Sequence, residues 1–276
     1  MGFVIIYKAT RVFSFAQPAL MMVGGFLVSE LATRRGLPFW AALIVAMAAT
    51  TLIAGVVERL AVRPLLGKPI FAVAILTLGI DIALRVVVTS WMGPALRSMG
   101  DPWGFSTSTV AGVVVQHRSL AMIAAAVLVA VLIFAFFLRT RLGLAMRATA
   151  IDQEAALAQG VRVGRVFAVA WMMAGAMAAL AGMFAGSGLG GFSTATSAVA
   201  FKALPVVVVG GLDSIRGALV GALVVGLSEA WAATYQPGWA PFLGANFSQV
   251  VPFLVMVAVL LVKPYGLYGT EEVERV

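Results

Sequence analysis

Ser119-Leu-Ala-Met-Ile-Ala-Ala-Ala-Val-Leu-Val-Ala-Val-Leu-Ile-Phe-Ala-Phe-Phe-Leu138 carries no charge, no proline and no glycine. A helix needs about 20 such residues to cross the hydrocarbon core of a bilayer. Only helices and closed barrels satisfy their own backbone in lipid, and a barrel strand alternates apolar and polar residues, which this run does not. It therefore reads as a membrane-spanning helix. Residues 12–29 and 36–57 are charge-free runs of similar length. Residues 166–201 and 230–262 exceed one span, and each contains a break, at the Gly/Ser-rich stretch 186–197 and at Gln236-Pro237-Gly238-Trp239-Ala240-Pro241. Two more spans carry charge: residues 70–92 hold Asp81 and Arg85, and residues 214–235 hold Glu229. A shorter piece, 198–211, holds Lys202 and Pro205 and reads as a broken or re-entrant helix. The expected fold is all-α, one polytopic transmembrane bundle over residues 1–276 with about seven crossings.

Composition agrees. Of 276 residues 62% are hydrophobic and 11% charged, and the mean hydropathy is +1.05. A soluble fold of that make-up would expose aggregating apolar surface. The net charge of +8 reads as loop arginines that set orientation, not as a nucleic-acid footprint. With no cysteine, disulfides, thiolate metal sites and cysteine nucleophiles are excluded, and the single histidine, His117, leaves no metal cluster. No basic region precedes the first apolar run and no Ala-x-Ala-like site follows it, so a cleavable signal peptide is not expected. Arg139, Arg141, Arg147, Arg162 and Arg165 in the 139–165 connection, and Arg59, Arg63 and Lys68 in the 59–68 connection, mark the cytoplasmic side. The nearly uncharged 93–116 and 236–248 connections belong outside, with Trp91, Trp103 and Trp239 at the interface. Counting forward puts Ser214-Ile215-Arg216 and the 271–276 tail inside. Arg34-Arg35 then falls outside, against the charge rule, which suggests that residues around 14–22 do not cross as one simple helix.

Gly182-x-x-x-Gly186 and Gly217-x-x-x-Gly221 lie on apolar helices, where small residues let two backbones approach. Gly186-Ser-Gly188-Leu-Gly-Gly191 matches a dinucleotide-binding spacing but follows a membrane span instead of a strand, and reads as a connector. No Gly-x-x-x-x-Gly-Lys-Ser/Thr occurs, so any ATP hydrolysis belongs to another polypeptide. Asp81 and Arg85 stand one helical turn apart, placed either to neutralise each other or to line a polar path. Glu229 has the same two readings, with the outer headgroups as its bland partner. After Arg147, residues 148–159 read as a short helix with Ile151, Ala155 and Ala158 on one face, ended by Gly160. Such a face suits a partner's groove or the membrane surface.

Glu154-Ala155-Ala156 followed by Gly160 resembles the coupling motif through which ATPase subunits push on bacterial ABC import permeases. Phe15-Ala16-Gln17 within residues 11–26, Phe201-Lys202-Ala203 with Val209-Gly210-Gly211-Leu212-Asp213-Ser214-Ile215 and Gly217-Ala218, and Lys263-Pro264-Tyr265-Gly266-Leu267-Tyr268-Gly269 sharpen the resemblance. Together they are similar to the shorter permease subunit of the high-affinity branched-chain amino-acid import family. The resemblance implies a permease of the bacterial cytoplasmic membrane with a cytoplasmic C-terminus. It implies as partners a second homologous permease, two ATPases that bind ATP and Mg, and a periplasmic or lipid-anchored substrate-binding protein. The chain itself would need no cofactor and catalyse no reaction. Residues 139–165 become the coupling loop, with Arg147, Asp152, Glu154, Ala155, Ala156 and Gly160 as its contacts, and Ser14, Gln17, Thr77 and Asp81 become candidates for the translocation path.

The chain departs from the family at Ser14, where Asn is usual, and at Pro18, where Gly is usual, and it lacks the Ile-x-Leu-Pro that often follows the motif. Family members also begin with about one more apolar half-helix, so residues 1–7 read as the tail of a longer first helix. The alternatives are an autonomous secondary transporter or channel, which calls for an intramembrane ion site and paired broken helices, and a membrane enzyme, which calls for clustered nucleophiles or metal ligands. Within the import reading, urea, a short amide or another small acid stays open as substrate.

Overall fold

The computed structural model describes residues 1–65, 68–93, 95–104, 106–110, 112–188, 191–244 and 246–270. The chain forms α1 (Gly2–Thr10), α2 (Gln17–Ser29), α3 (Phe39–Val57), α4 (Ile70–Met92), a hairpin of β1 (Thr107–Val110) and β2 (Val113–Gln116), α5 (His117–Arg139), α6 (Arg141–Ile151) and α7 (Gln153–Ala158). Then follow α8 (Val163–Gly186), α9 (Ala198–Phe201), α10 (Ala203–Gly210), α11 (Ile215–Trp239) and α12 (Val251–Val262). Among the described residues, five helices are long and apolar enough to cross a membrane: Phe39–Leu65, Phe71–Met92, His117–Arg139, Val163–Gly186 and Ile215–Trp239. Shorter apolar helices, α2 and α12 among them, complete the all-α membrane bundle.

The centre of the bundle is α2, buried along nearly its whole length. Its neighbours reach it through small residues. A Cβ on Gly24 would sit 2.2 Å from Ala179 of α8, and one on Gly182 would sit 2.1 Å from the Met21 carbonyl, so the two backbones touch. On its other flank α8 meets α3 the same way, where a Cβ on Gly175 would lie 2.8 Å from the Thr50 carbonyl. Gly217 and Gly221 serve the α10–α11 contact, facing the carbonyls of Gly210 and Val206. Gly186 differs from these five, because its Cβ would meet Phe192 and Met99 of the covering connections.

The two ends of the bundle are told apart by their ion pairs. At one end Arg63 pairs with the fully buried Glu58 at 2.9 Å and donates to the Gly164 carbonyl at 2.7 Å, tying the end of α3 to the start of α8. Ile215 and Ala218 join Val163 and Val166 in one cluster, so α11 starts at this end too. At the other end Glu30 pairs with Arg97 at 2.6 Å and with Arg34 at 3.6 Å, and the strand-like contact between Arg97 and Phe192 joins the 93–116 and 186–197 connections. Arg34 thus lies at the Arg97 end with a carboxylate beside it, which softens the charge-rule conflict. The other part of the answer lies below α2, since residues 11–16 are not helical and α2 begins only at Gln17.

Residues 198–210 are broken as expected, into α9 and α10 on either side of Lys202. The Lys263–Gly269 motif turns back under this pair: the Leu267 and Tyr268 amides donate to Val209 and Gly210 at 2.8 and 3.0 Å. Gly266, at φ 78°, is required there, because a Cβ would stand 2.5 Å from the Val208 carbonyl. The 271–276 tail, expected inside, lies outside the described residues.

Candidate functional site

Two places draw the expected site residues together, the tip of the 139–165 connection and the non-helical strap 11–16 with the start of α2. At the tip, the helix read over 148–159 is in fact two. Asp152 adopts an extended backbone (φ −152°), and its Oδ1 accepts the amides of Glu154 and Ala155 at 2.9 and 3.0 Å. An aspartate in that position competes with the helix and starts a new one, so α6 stops and α7 begins. Gly160 closes α7 in the left-handed region, at φ 79°. Ala156 is buried, whereas Ile151 (86% exposed), Glu154, Ala155, Leu157 (57% exposed) and Ala158 stand free of the bundle. The tip therefore presents an uncovered apolar face beside the exposed carboxylates of Asp152 and Glu154. Arg147 is half-buried behind it.

The tip is joined to the strap by Arg11. This residue ends α1 in the left-handed region (φ 57°) and its guanidinium donates to the Ala150 carbonyl of α6 at 2.7 Å. From there the strap runs back into the bundle to α2. Its Phe15 amide donates to Thr77 Oγ1 of α4 at 3.1 Å, and Thr77 donates in turn to Ala74. Ala19, in the first turn of α2, donates its amide to Asp81 Oδ1 at 2.9 Å. Asp81 Oδ2 pairs with Arg85 at 2.5 Å, and Arg85 lies 5.6 Å from the Phe201 ring centre.

This geometry has a simple cause. A helix that starts inside the bundle leaves amide donors with no water to satisfy them, and its positive end favours a carboxylate. Asp81 supplies that carboxylate from another helix, and Arg85 neutralises what remains. Pro18 fits the same spot, because the first turn of a helix has an unused amide to spare. Two polar side-chain atoms at this break are left over: Ser14 Oγ of the strap and Gln17 Nε2 of α2 are buried without a hydrogen-bond partner, as is Trp171 Nε1 on α8. So the four path candidates, Ser14, Gln17, Thr77 and Asp81, gather at one break, but Thr77 and Asp81 hold its backbone while Ser14 and Gln17 present unused polar atoms.

A family model described as branched-chain amino acid transport system / permease component matches residues 1–260. The chain belongs to that permease family. The permease is 30% identical to the high-affinity branched-chain amino acid transport system permease protein LivH of Escherichia coli K12, over all of this chain and 91% of that one. It is 28% identical to the corresponding BraD protein of Pseudomonas aeruginosa, over all of this chain and 92% of the relative. A probable LivH of Methanocaldococcus jannaschii is 26% identical over 98% of this chain and 87% of its own. No solved structure matches the permease.

The reading of the sequence alone missed two features of the site. The Arg11 to Ala150 bond joins residues far apart in the chain, and no local pattern announces it. Lys202 pairs with Glu229 across the α9–α10 break, which the Lys202 position at a helix interruption hinted at without naming a partner. Among the described residues no group of His, Asp or Glu is placed to hold a metal ion.

Proposed function

We propose that this permease is the membrane subunit of an ABC importer that carries branched-chain amino acids across the bacterial cytoplasmic membrane. Its partners are a second homologous permease, two ATPases that bind ATP and Mg, and an external substrate-binding protein. In this reading the 139–165 connection, with the Arg63–Gly164 end of the bundle and the C-terminus, is cytoplasmic. The observation that carries the reading is the uncovered α6–α7 tip, apolar at Ile151 and Leu157 and tied through Arg11 to the strap.

Closure of the ATPases on ATP would move that tip. Arg11 would transmit the movement to residues 11–16, and the strap can slide because it lacks the internal hydrogen bonds of a helix. The start of α2 would then shift against Thr77 and Asp81, so that the bundle opens to one side and then the other. Ser14 and Gln17 offer polar atoms to a passing zwitterion, and the receptor supplies most of the binding energy.

The test is uptake by the assembled transporter, with leucine, urea and a short amide as substrates, alongside Gly160→Val. A β-branched residue at φ 79° costs about 1–2 kcal/mol locally, enough to redirect α7 while the bundle stays intact. Uptake of leucine should be lost at normal membrane abundance. Wild-type leucine uptake by the variant would sink the coupling assignment, and uptake of urea alone would replace the substrate.

A further inference from the structure

The bundle carries further charge beside the Asp81–Arg85 pair, on Lys202 and Glu229. Arg85, Lys202 and Glu229 are each about one-third exposed, with side-chain exposures of 30%, 32% and 27%. Their depth follows from helical rise. α4 and α11 both start at the Arg63–Gly164 end, and at 1.5 Å per residue Arg85 stands about 22 Å above Ile70 and Glu229 about 21 Å above Ile215. These charges therefore lie within the hydrocarbon thickness. Phe201 links them, with the Arg85 guanidinium over its ring and Lys202 next in the chain, paired through Nζ to Glu229 Oε1.

Part-exposed charges at this depth cannot face lipid without a cost of several kcal/mol each, so the face they share is turned to protein or to water. The faces turned to lipid lie elsewhere on the same helices. Leu223, Leu227 and Trp231 are the exposed stripe of α11, whereas Glu229 falls in register with its buried residues Val225 and Ala232. A face that holds Arg85 with its Asp81 partner, the Lys202–Glu229 pair and the half-buried Phe201 ring offers both signs of charge to a free amino acid.

We propose that Arg85, Lys202 and Glu229 form a water-facing station of the substrate path, where the cations take the carboxylate of a zwitterionic amino acid and Glu229 takes its ammonium group. Phe201 offers apolar surface to the side chain. This rests on the amino-acid import reading. While empty, the station closes on itself through the Lys202–Glu229 pair. Substrate exchanges that pair for two of its own, so its charges never lose a partner as it passes.

Two measurements on the assembled transporter test the station. Because the chain has no cysteine, Glu229→Cys can be probed with a charged, membrane-impermeant methanethiosulfonate and read as a mass shift of this subunit. It should react readily and be protected by leucine supplied with the binding protein, while Leu223→Cys, on the lipid stripe of the same helix, stays unreactive. A Glu229→Cys no more reactive than Leu223→Cys overturns the proposal. The second measurement compares the charge swap Lys202→Glu/Glu229→Lys with wild type in leucine uptake and in membrane abundance. The swap keeps the ion pair and should keep abundance, yet lower uptake by about tenfold or more, because charge-assisted contacts to the substrate head are reversed. Wild-type uptake by the swap would mean that the pair only holds α9 to α11. If the wild-type transporter itself carries no leucine, the import reading has failed, and Glu229→Cys labelling still reports whether the face meets water.

Discussion

Helices α5 and α8 have nearly the same length, 23 and 24 residues, and opposite fates. α5 is the more apolar, rich in Leu, Val and Phe, yet only 17% of its span is buried; α8 is built of Ala and Gly and is 56% buried. In water the order would be reversed. In lipid the surroundings of a helix are as apolar as leucine, so hydrophobicity does not choose the packed helix. Close approach and polar pairing do that, and small residues permit the approach. The same rule accounts for α2, whose Gly24 and Gly25 lie directly against α8 and the Phe192 ring.

Three substitutions press on this contrast. The largest effect is expected from Asp81→Ala, which removes both the acceptor of the Ala19 amide and the partner of Arg85. Leaving the buried Ala19 amide without its charged acceptor, and the one-third-exposed Arg85 without its counter-ion, should cost about 3 kcal/mol, seen as a large drop in the midpoint of thermal unfolding of the purified complex. A shift no greater than that of a lipid-facing variant would refute the role of Asp81 as the cap of α2. Next is Gly182→Ala. Its methyl group would stand 2.1 Å from the Met21 carbonyl, and forcing α2 and α8 apart should cost about 1–3 kcal/mol. Unchanged stability there would break the claim that small residues set the packing. The smallest is Leu128→Ala on α5, a 58% exposed side chain, with an expected change within about 0.5 kcal/mol. A loss as large as that of Gly182→Ala would show that α5 is covered in the assembly, and would identify its outer face as a contact with another subunit.

The tip of the 139–165 connection was largely legible in the chain. Gly160 marked the end of its last helix, and the spacing of Ile151, Ala155 and Ala158 marked a face that the structure leaves uncovered. The break at Asp152 was not read, although an aspartate two residues before Glu154 is a helix-start signal, because the apolar periodicity ran straight through it. At the strap the limit was different. Charge-free residues 12–29 are long enough to cross as one helix, and hydropathy cannot see that residues 11–16 stay non-helical while α2 starts at Gln17. Pro18 was the one local mark of that start.

Composition alone committed the chain to helices in a membrane, because a backbone in lipid has almost no other way to satisfy its hydrogen bonds. The motifs at 151–160 and 263–269 carried its kinship. Which charge meets which was left to the tertiary structure. Asp81 could have paired with Arg85 alone, yet one of its oxygens caps a helix that arrives from a distant part of the chain, and Lys202 finds Glu229 across a gap in sequence. Such pairings are decided where donors and acceptors converge in a medium without water, and that convergence exists only once α2, α4, α9 and α11 have packed.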